Sequence, residues 1–285
     1  MSDQRLLALY GLKFNPFLPS ISAQDLWVSA RTDNFFFRIE TLVMDGGFAV
    51  ITGESGLGKS KALHQLAERL AQIGDVVVGV MQRPQSSLSD FYRELGDLFG
   101  VNLSVANRYG GFKALRARWQ SHIQSTLFRP VLLVDEAQEV ATACLNELRL
   151  LGSARFDSEC LLTIVLCGDS RLPERFRSRA LLPLGSRVRT RLTLEAWSRD
   201  ELREMLEHVL ERAGAPHLMT DILQDTLVDH AAGNPRLLMT MGGELLDLGA
   251  RRELAALDEK LFLEVYARAT RPPKSRSQAE TRSKA

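Results

Sequence analysis

The chain is 285 residues long, with 45% hydrophobic residues, 25% charged residues and a formal net charge of +1. That length suffices for one large domain or two smaller ones with a real core, and the charge excludes a uniformly basic polyanion binder, so nucleic-acid contact must come from local clusters. The longest apolar run, LLTIVLC (161–167), is too short to span a bilayer, the N-terminus lacks a signal-peptide pattern, and Cys144, Cys160 and Cys167 have no metal-ligand spacing, which together predict a cytoplasmic protein with buried free thiols.

In chain order, apolar runs suited to buried strands alternate with longer amphipathic stretches, the pattern of parallel βαβ units. GFAVIT (47–52) predicts a strand and SKALHQLAERLAQIG (60–74) the helix after it, with Leu63, Leu66 and Leu70 at helical spacing and Gly74 as its stop. DVVVGVM (75–81) is the next strand and SSLSDFYRELGDLFG (86–100) the next helix. A helix over 112–127 follows, then the strand PVLLVD (130–135), the helix ATACLNELRLLG (141–152) and the strands LLTIVLCG (161–168) and RTRLTL (189–194). The character changes at 195–200, where Ser198 followed by Glu201 has capping-box spacing. From there only helices are expected, over about 199–213, 220–232, 235–250 and 258–268. The last stretch, with almost no large apolar side chains, reads as a disordered tail.

Between the first strand and its helix lies GESGLGKS, residues 53–60, in which Gly53, Gly58, Lys59 and Ser60 match a phosphate-binding loop in its proper context. Glycines let successive N–H groups point into one concavity, and the following helix adds its positive end. Gly53, Glu54, Ser55, Gly56, Leu57, Gly58, Lys59 and Ser60 are therefore the expected nucleotide contacts, with Lys59 bridging the β- and γ-phosphates of ATP and Ser60 ligating Mg²⁺. The strand VLLVDEAQE ends in Asp135 and Glu136. Asp135 at a strand's carboxyl end suits the Mg²⁺ shell, and Glu136 suits orienting and deprotonating an attacking water. A small-molecule kinase would not need that second carboxylate, so the pair argues for ATP hydrolysis. TIVLCGDS ends a strand in Asp169, either a sensor of the γ-phosphate or a helix N-cap ahead of RLPERF. The segment 171–194 carries seven arginines and one acid, Glu174. Among them Arg187, before the last strand, is placed to reach a neighbouring subunit's γ-phosphate. Such an arginine is worth roughly 10³–10⁵ in rate, about 4–7 kcal/mol of barrier. In GNPRLL, Arg236 at a helix start is placed to reach back to the nucleotide.

These pieces in this order, with a helical part after the α/β core, resemble an AAA+ ATPase. LYGLKFNPF, GFAVITGESGLGKS, LLVDEAQE, LNELRLL, TIVLCGDSRL, SRVRTRLTL and AAGNPRLL together resemble the ExeA-like branch, which takes in secretion ATPases and transposon-encoded regulators of the TniB, TnsC and IstB type, over about residues 9–267. The resemblance implies a P-loop core of parallel sheet flanked by helices (46–195), a small all-helical lid (196–268), a basic tail (269–285) and an N-terminal segment (1–45) near the nucleotide, with Phe14 to Phe17 beside the adenine. It makes Arg187 the trans-acting finger and Arg236 the lid sensor. Relatives often carry an amide or hydroxyl where Asp169 stands, and commonly Thr where Ser60 stands.

Secretion relatives of the ExeA type continue into a membrane span, and this sequence shows none, so the resemblance favours a transposition regulator with no membrane partner. It implies self-association into a ring or filament, binding of double-stranded DNA without sequence preference, and communication with a transposase. NRYGGFKALRARW (107–119) sets Arg108, Tyr109 and Lys113 about a Tyr-Gly-Gly turn suited to DNA phosphate contact, or to a solvated helix face. The tail adds a net charge of +4 from Arg271, Lys274, Arg276, Arg282 and Lys284 against Glu280. A secretion-pathway ATPase and an ATP-switched binding module with negligible turnover are the rival readings.

Overall fold

The computed structural model describes residues 3–84, 86–102 and 108–266; the expected basic tail lies outside them. Helices α1 (Asp3–Tyr10) and α2 (Ala30–Asp45) precede strand β1 (Gly47–Gly53) and helix α3 (Lys59–Ala71). Strand β2 (Val78–Met81), helices α4 (Leu88–Phe99) and α5 (Arg108–Thr126), strand β3 (Val131–Val134) and helix α6 (Thr142–Gly152) follow. A short hairpin, β4 (Ser153–Ala154) and β5 (Glu159–Cys160), leads to β6 (Thr163–Gly168), then α7 (Arg171–Arg177), α8 (Leu182–Gly185) and β7 (Val188–Leu194). Helices α9 (Arg199–Ala213), α10 (Asp221–Ala231), α11 (Pro235–Arg251) and α12 (Glu259–Tyr266) complete the described chain.

The five long strands form one sheet in the order β2-β3-β6-β1-β7, and every pairing is parallel. All seven residues of β1 are buried, because both faces of the sheet are covered, and that is why β1 reads as an unbroken apolar run. Phe48, Val50, Leu132, Val134, Ile164 and Leu166 face one layer, with Phe91, Leu95, Trp119, Leu145 and Leu148 from α4, α5 and α6. The alternate residues Ala49, Ile51, Leu133, Val165 and Cys167 face the other, with Phe36, Ile39, Leu63 and Leu66 from α2 and α3. This is the period-two alternation of a strand buried on both sides.

Helices α9 to α12 build a separate core. The Ser198–Glu201 capping box opens α9, with Ser198 accepting from the Glu201 N–H and the Glu201 carboxylate from the Ser198 N–H. Leu6, Leu12 and Phe17 are buried in this same helical core, and the Lys13 N–H donates to the Ala213 carbonyl at 2.9 Å. The N-terminal segment is thus divided: residues up to about Phe17 pack with the lid, whereas α2 packs on the sheet.

Two local expectations are corrected. Tyr109, Gly110 and Gly111 form the first turns of α5 rather than a loop, because Gly111 is buried and Leu115 and Trp119 anchor the helix into the core. Helix α3 stops at Ala71, where the Gln72 N–H bonds back to Arg69 and Leu70, short of Gly74. Among the described residues, no helix is long and apolar enough to cross a membrane.

Candidate active site

In a parallel sheet the carboxyl ends of the strands open onto one crevice, and a ligand is held where neighbouring connections diverge. Here β1 lies between β6 and β7, with β3 beyond β6, so GESGLGKS, Asp169 and the Asp135–Glu136 pair emerge side by side. Gly53 ends β1, and the chain turns through Gly56 (φ 88°) and Gly58 (φ 94°). Only glycine takes such angles without cost. Gly58 then caps α3, which begins at Lys59. The Lys59 ammonium is buried and donates back across the loop to the Glu54 carbonyl at 2.9 Å. Ser60 lies exposed in the first turn of α3, and Leu57 is buried beneath the loop. A helix start, left-handed glycines and a buried ammonium make an anion cradle.

Asp135 follows β3, held by its N–H to the Met81 carbonyl (3.1 Å), and its Oδ1 accepts the Glu136 N–H at 2.9 Å. Burial pushes the Cys167 thiol well above its usual range, and the charge of Asp135 adds to that, so the thiol stays protonated beneath the cradle. Glu136 is exposed, in the left-handed region at φ 49°. Gln138, a group the sequence reading passed over, is buried next to it. Its Nε2 donates to Glu136 Oε2 at 2.5 Å, and its Oε1 accepts the Asp169 N–H at 3.2 Å. The signal was present: an amide two residues past Glu136, in a turn whose neighbours Ala137 and Val140 are core.

Asp169 itself is engaged elsewhere. Its Oδ1 accepts the Arg171 N–H and its Oδ2 the Arg171 Nε, both at 2.9 Å. Arg171 also pairs with Glu139 at 2.6 Å. These bonds to Arg171 hold the Asp169 carboxyl below its ordinary range, with Lys59 adding a smaller pull. Asp169 thus stands one residue ahead of the N-cap of α7, which is Ser170 rather than Asp169, and the polar group that meets Glu136 is Gln138.

The lid closes over the loop. Asn234 Nδ2 reaches the Ser55 carbonyl at 3.4 Å, the Arg236 N–H donates to the Gly56 carbonyl at 3.3 Å, and Arg236 Nη1 reaches Ser55 Oγ at 3.2 Å. Between loop and lid runs a cleft of about 550 Å³, walled by Phe17, Trp27, Trp197, Met205 and Met239 and floored by residues 55–62. The rings of Trp27 and Trp197 lie 5.1 Å apart. Phe17 from the N-terminal motif lines this cleft, while Phe14 packs on the lid core.

Arg187 lies at the other end of the sheet, just before β7. The seven residues of β1, at about 3.3 Å each, separate the two ends by about 20 Å, which puts this guanidinium beyond reach of its own phosphate loop. It bonds to the Pro183 carbonyl and pairs with Asp157. Arg108 pairs with Glu147, whose side chain is only 4% exposed and whose carboxylate also accepts from Tyr92. A buried carboxylate needs such a partner, so Arg108 is held by the fold. Lys113 sits over the Tyr109 ring at 4.5 Å, and that ring is exposed.

The fold and site define a P-loop nucleotide-binding protein of the AAA+ class. Residues 43–176, a little under half of the chain, match the family described as AAA domain. The chain is 28% identical over 234 residues to general secretion pathway protein A of Aeromonas hydrophila, covering 80% of this chain and 42% of that one. It is 25% identical over 212 residues to the Mu-like prophage FluMu DNA transposition protein B of Haemophilus influenzae, covering 67% of this chain and 69% of that one. The chain thus spans less than half of the secretion relative. These two stand in the two branches that the sequence resembles. Drosophila ORC bound to DNA shares the fold, with a TM-score of 0.68 at 16% identity over 95% of this chain and 67% of that one.

Proposed function

We propose that the chain is a Mg²⁺-dependent ATPase that self-associates on double-stranded DNA and regulates DNA transposition, by target selection or transposase activation. The carrying observation is the division of the site. Lys59, Glu136 and Gln138 meet at one end of the sheet, while Arg187 stands at the other, about 20 Å away. A reaction that needs both ends needs two copies.

ATP enters the cleft with its base between the lid and the Trp27–Trp197 pair and its phosphates in the cradle of residues 53–60. Ser60 and Asp135 would hold Mg²⁺, which supplies charge neutralisation at the phosphates. Glu136, oriented by Gln138, takes the proton of the attacking water. Arg187 from the adjacent copy stabilises charge on the transferred phosphoryl group. Arg236 couples the lid to the same loop through Ser55.

Transposition is favoured because the likeness to transposition protein B extends over two thirds of both chains. A secretion role is supported by the higher identity to general secretion pathway protein A. Electrophoretic shift with duplex DNA separates them, using ATP, a non-hydrolysable analogue, ADP and no nucleotide. A shift with ATP or the analogue alone is expected. No shift under any nucleotide would overturn the transposition reading.

A further inference from the structure

A second, smaller pocket of about 180 Å³ opens at the amino ends of β1 and β7, on the side of the sheet away from the phosphate loop. Three arginines line it: Arg149 from α6, Arg187 and Arg189. The Arg149 Nε is buried and has no hydrogen-bond partner among the described residues. The stem of Arg189 lies over Gly47, where an added Cβ would come within 3.1 Å of it. Such a cluster is an anion site by its chemistry, and two of the chain's own carboxylates line it as well, Glu159, paired with Arg155 at 2.8 Å, and Asp157. Asp157, at the tip of the β4–β5 hairpin, accepts from Arg187 Nη2 and from Ser153 Oγ. The bonds from Ser153 and Arg187 hold its carboxyl below the usual range, and Arg149 adds to that.

The tip is an unusual piece of backbone. Arg155, Phe156 and Asp157 all take left-handed angles, with φ of 47°, 57° and 66°, and none is glycine. Side chains disfavour that region, so the tip depends on its hydrogen bonds, including Ser158 Oγ to the Arg155 carbonyl at 2.6 Å. Phe156 stands fully exposed beside Asp157.

We infer that Asp157 is an internal carboxylate that holds this pocket in the lone chain, keeping Arg187 and Arg149 from the nucleotide of a second copy until that copy arrives. The inference rests on the proposed trans role of Arg187. It adds a latch, which keeps Arg187 idle in the lone chain, and a second cation, Arg149, awaiting the same nucleotide. The nucleotide must come from another copy because the pocket and the chain's own cradle lie at opposite ends of β1.

The test is ATP turnover against protein concentration, with duplex DNA present, for the full chain and its Asp157→Asn, Ser153→Ala, Arg149→Gln and Arg187→Ala variants. Asn tolerates left-handed backbone, so Asp157→Asn removes charge and little else. It is expected to lower the concentration for half-maximal turnover about two- to fivefold, the range an exposed ion pair commands, with melting temperature and fluorescent-ATP affinity unchanged. Ser153→Ala, which loosens Asp157 from its other side, is expected to act in the same direction. Arg149→Gln is expected to reduce maximal turnover, and Asp157→Asn combined with Arg187→Ala to be as inactive as Arg187→Ala alone. An unshifted curve for folded Asp157→Asn beside an inactive Arg187→Ala overturns the latch and leaves the trans arginine standing. Wild-type turnover in Arg187→Ala overturns both. Self-association driven by inorganic phosphate without nucleotide would overturn the nucleotide-borne ligand.

Discussion

One amide and one ammonium decide what the nucleotide site does. Lys59 is buried and donates across the loop to the Glu54 carbonyl, so Lys59→Ala is expected to abolish ATP binding by fluorescence titration; unchanged affinity would refute the cradle. Gln138 touches Glu136 and the Asp169 backbone but lies outside the cleft's lining, so it is placed to position the proposed general base. Gln138→Ala is therefore expected to lower kcat about 10- to 100-fold, a typical share of general-base catalysis, with KM for ATP nearly unchanged. Equal changes in both would mark a merely structural amide. Arg108 makes a different prediction. Removing it leaves the Glu147 carboxylate, on a side chain 4% exposed, with Tyr92 and no cation, a loss of about 1–3 kcal/mol. At about 2–4 °C per kcal/mol, Arg108→Ala is expected to melt some 2–12 °C lower, and adding Glu147→Gln should recover part of that. Recovery without any change in DNA affinity would confirm Arg108 as a core counter-ion.

At the scale of elements, the lid shows how a helix start is written locally. Ser198 and Glu201 satisfy two N–H groups reciprocally, so Ser198→Ala is expected to cost about 1 kcal/mol, read as a melting temperature about 2–4 °C lower. That reciprocity is why the start of α9 was legible in sequence, as were β1, β3 and β6, whose apolar runs follow from burial on both faces. Other elements carried no such signal. The hairpin strands β4 and β5 are two residues each, and their turn uses three left-handed residues without a glycine. Helix α5 reads as a loop at Tyr109–Gly111 because two glycines are poor helix formers, and only the packing of Leu115 and Trp119 overrides them. Helix α2 carries the exposed Phe37 within its polar face, which blurs its period. Of the site, the loop and the acidic pair were legible from spacing. Gln138 was passed over: its place two residues past Glu136 was visible, but its importance comes from its contact to the Asp169 N–H, far along the chain.

For the whole molecule, two copies are required if Arg187 acts in trans. Mixing Arg187→Ala with Glu136→Gln is expected to restore part of the turnover that each lacks alone, since a mixed interface pairs an intact Glu136 with an intact Arg187; no restoration at any ratio would place the arginine outside the reaction. DNA affinity is expected to fall with salt with a log–log slope of about −0.9 per neutralised phosphate, and a flat dependence would remove DNA from the assembly. The lid and the sheet are joined by two crossings of the chain. One runs from Trp27, on the lid core, to Val28, on the sheet core; the other runs from Leu194, on the sheet core, to Trp197, on the lid core. The two tryptophans touch where the crossings pass each other. A body hung on a single strap can swivel, whereas one hung on two adjacent straps can only swing, like a door on two hinges. The lid is therefore expected to move by swinging toward and away from the phosphate loop, with the aromatic rings that wall the cleft at its pivot.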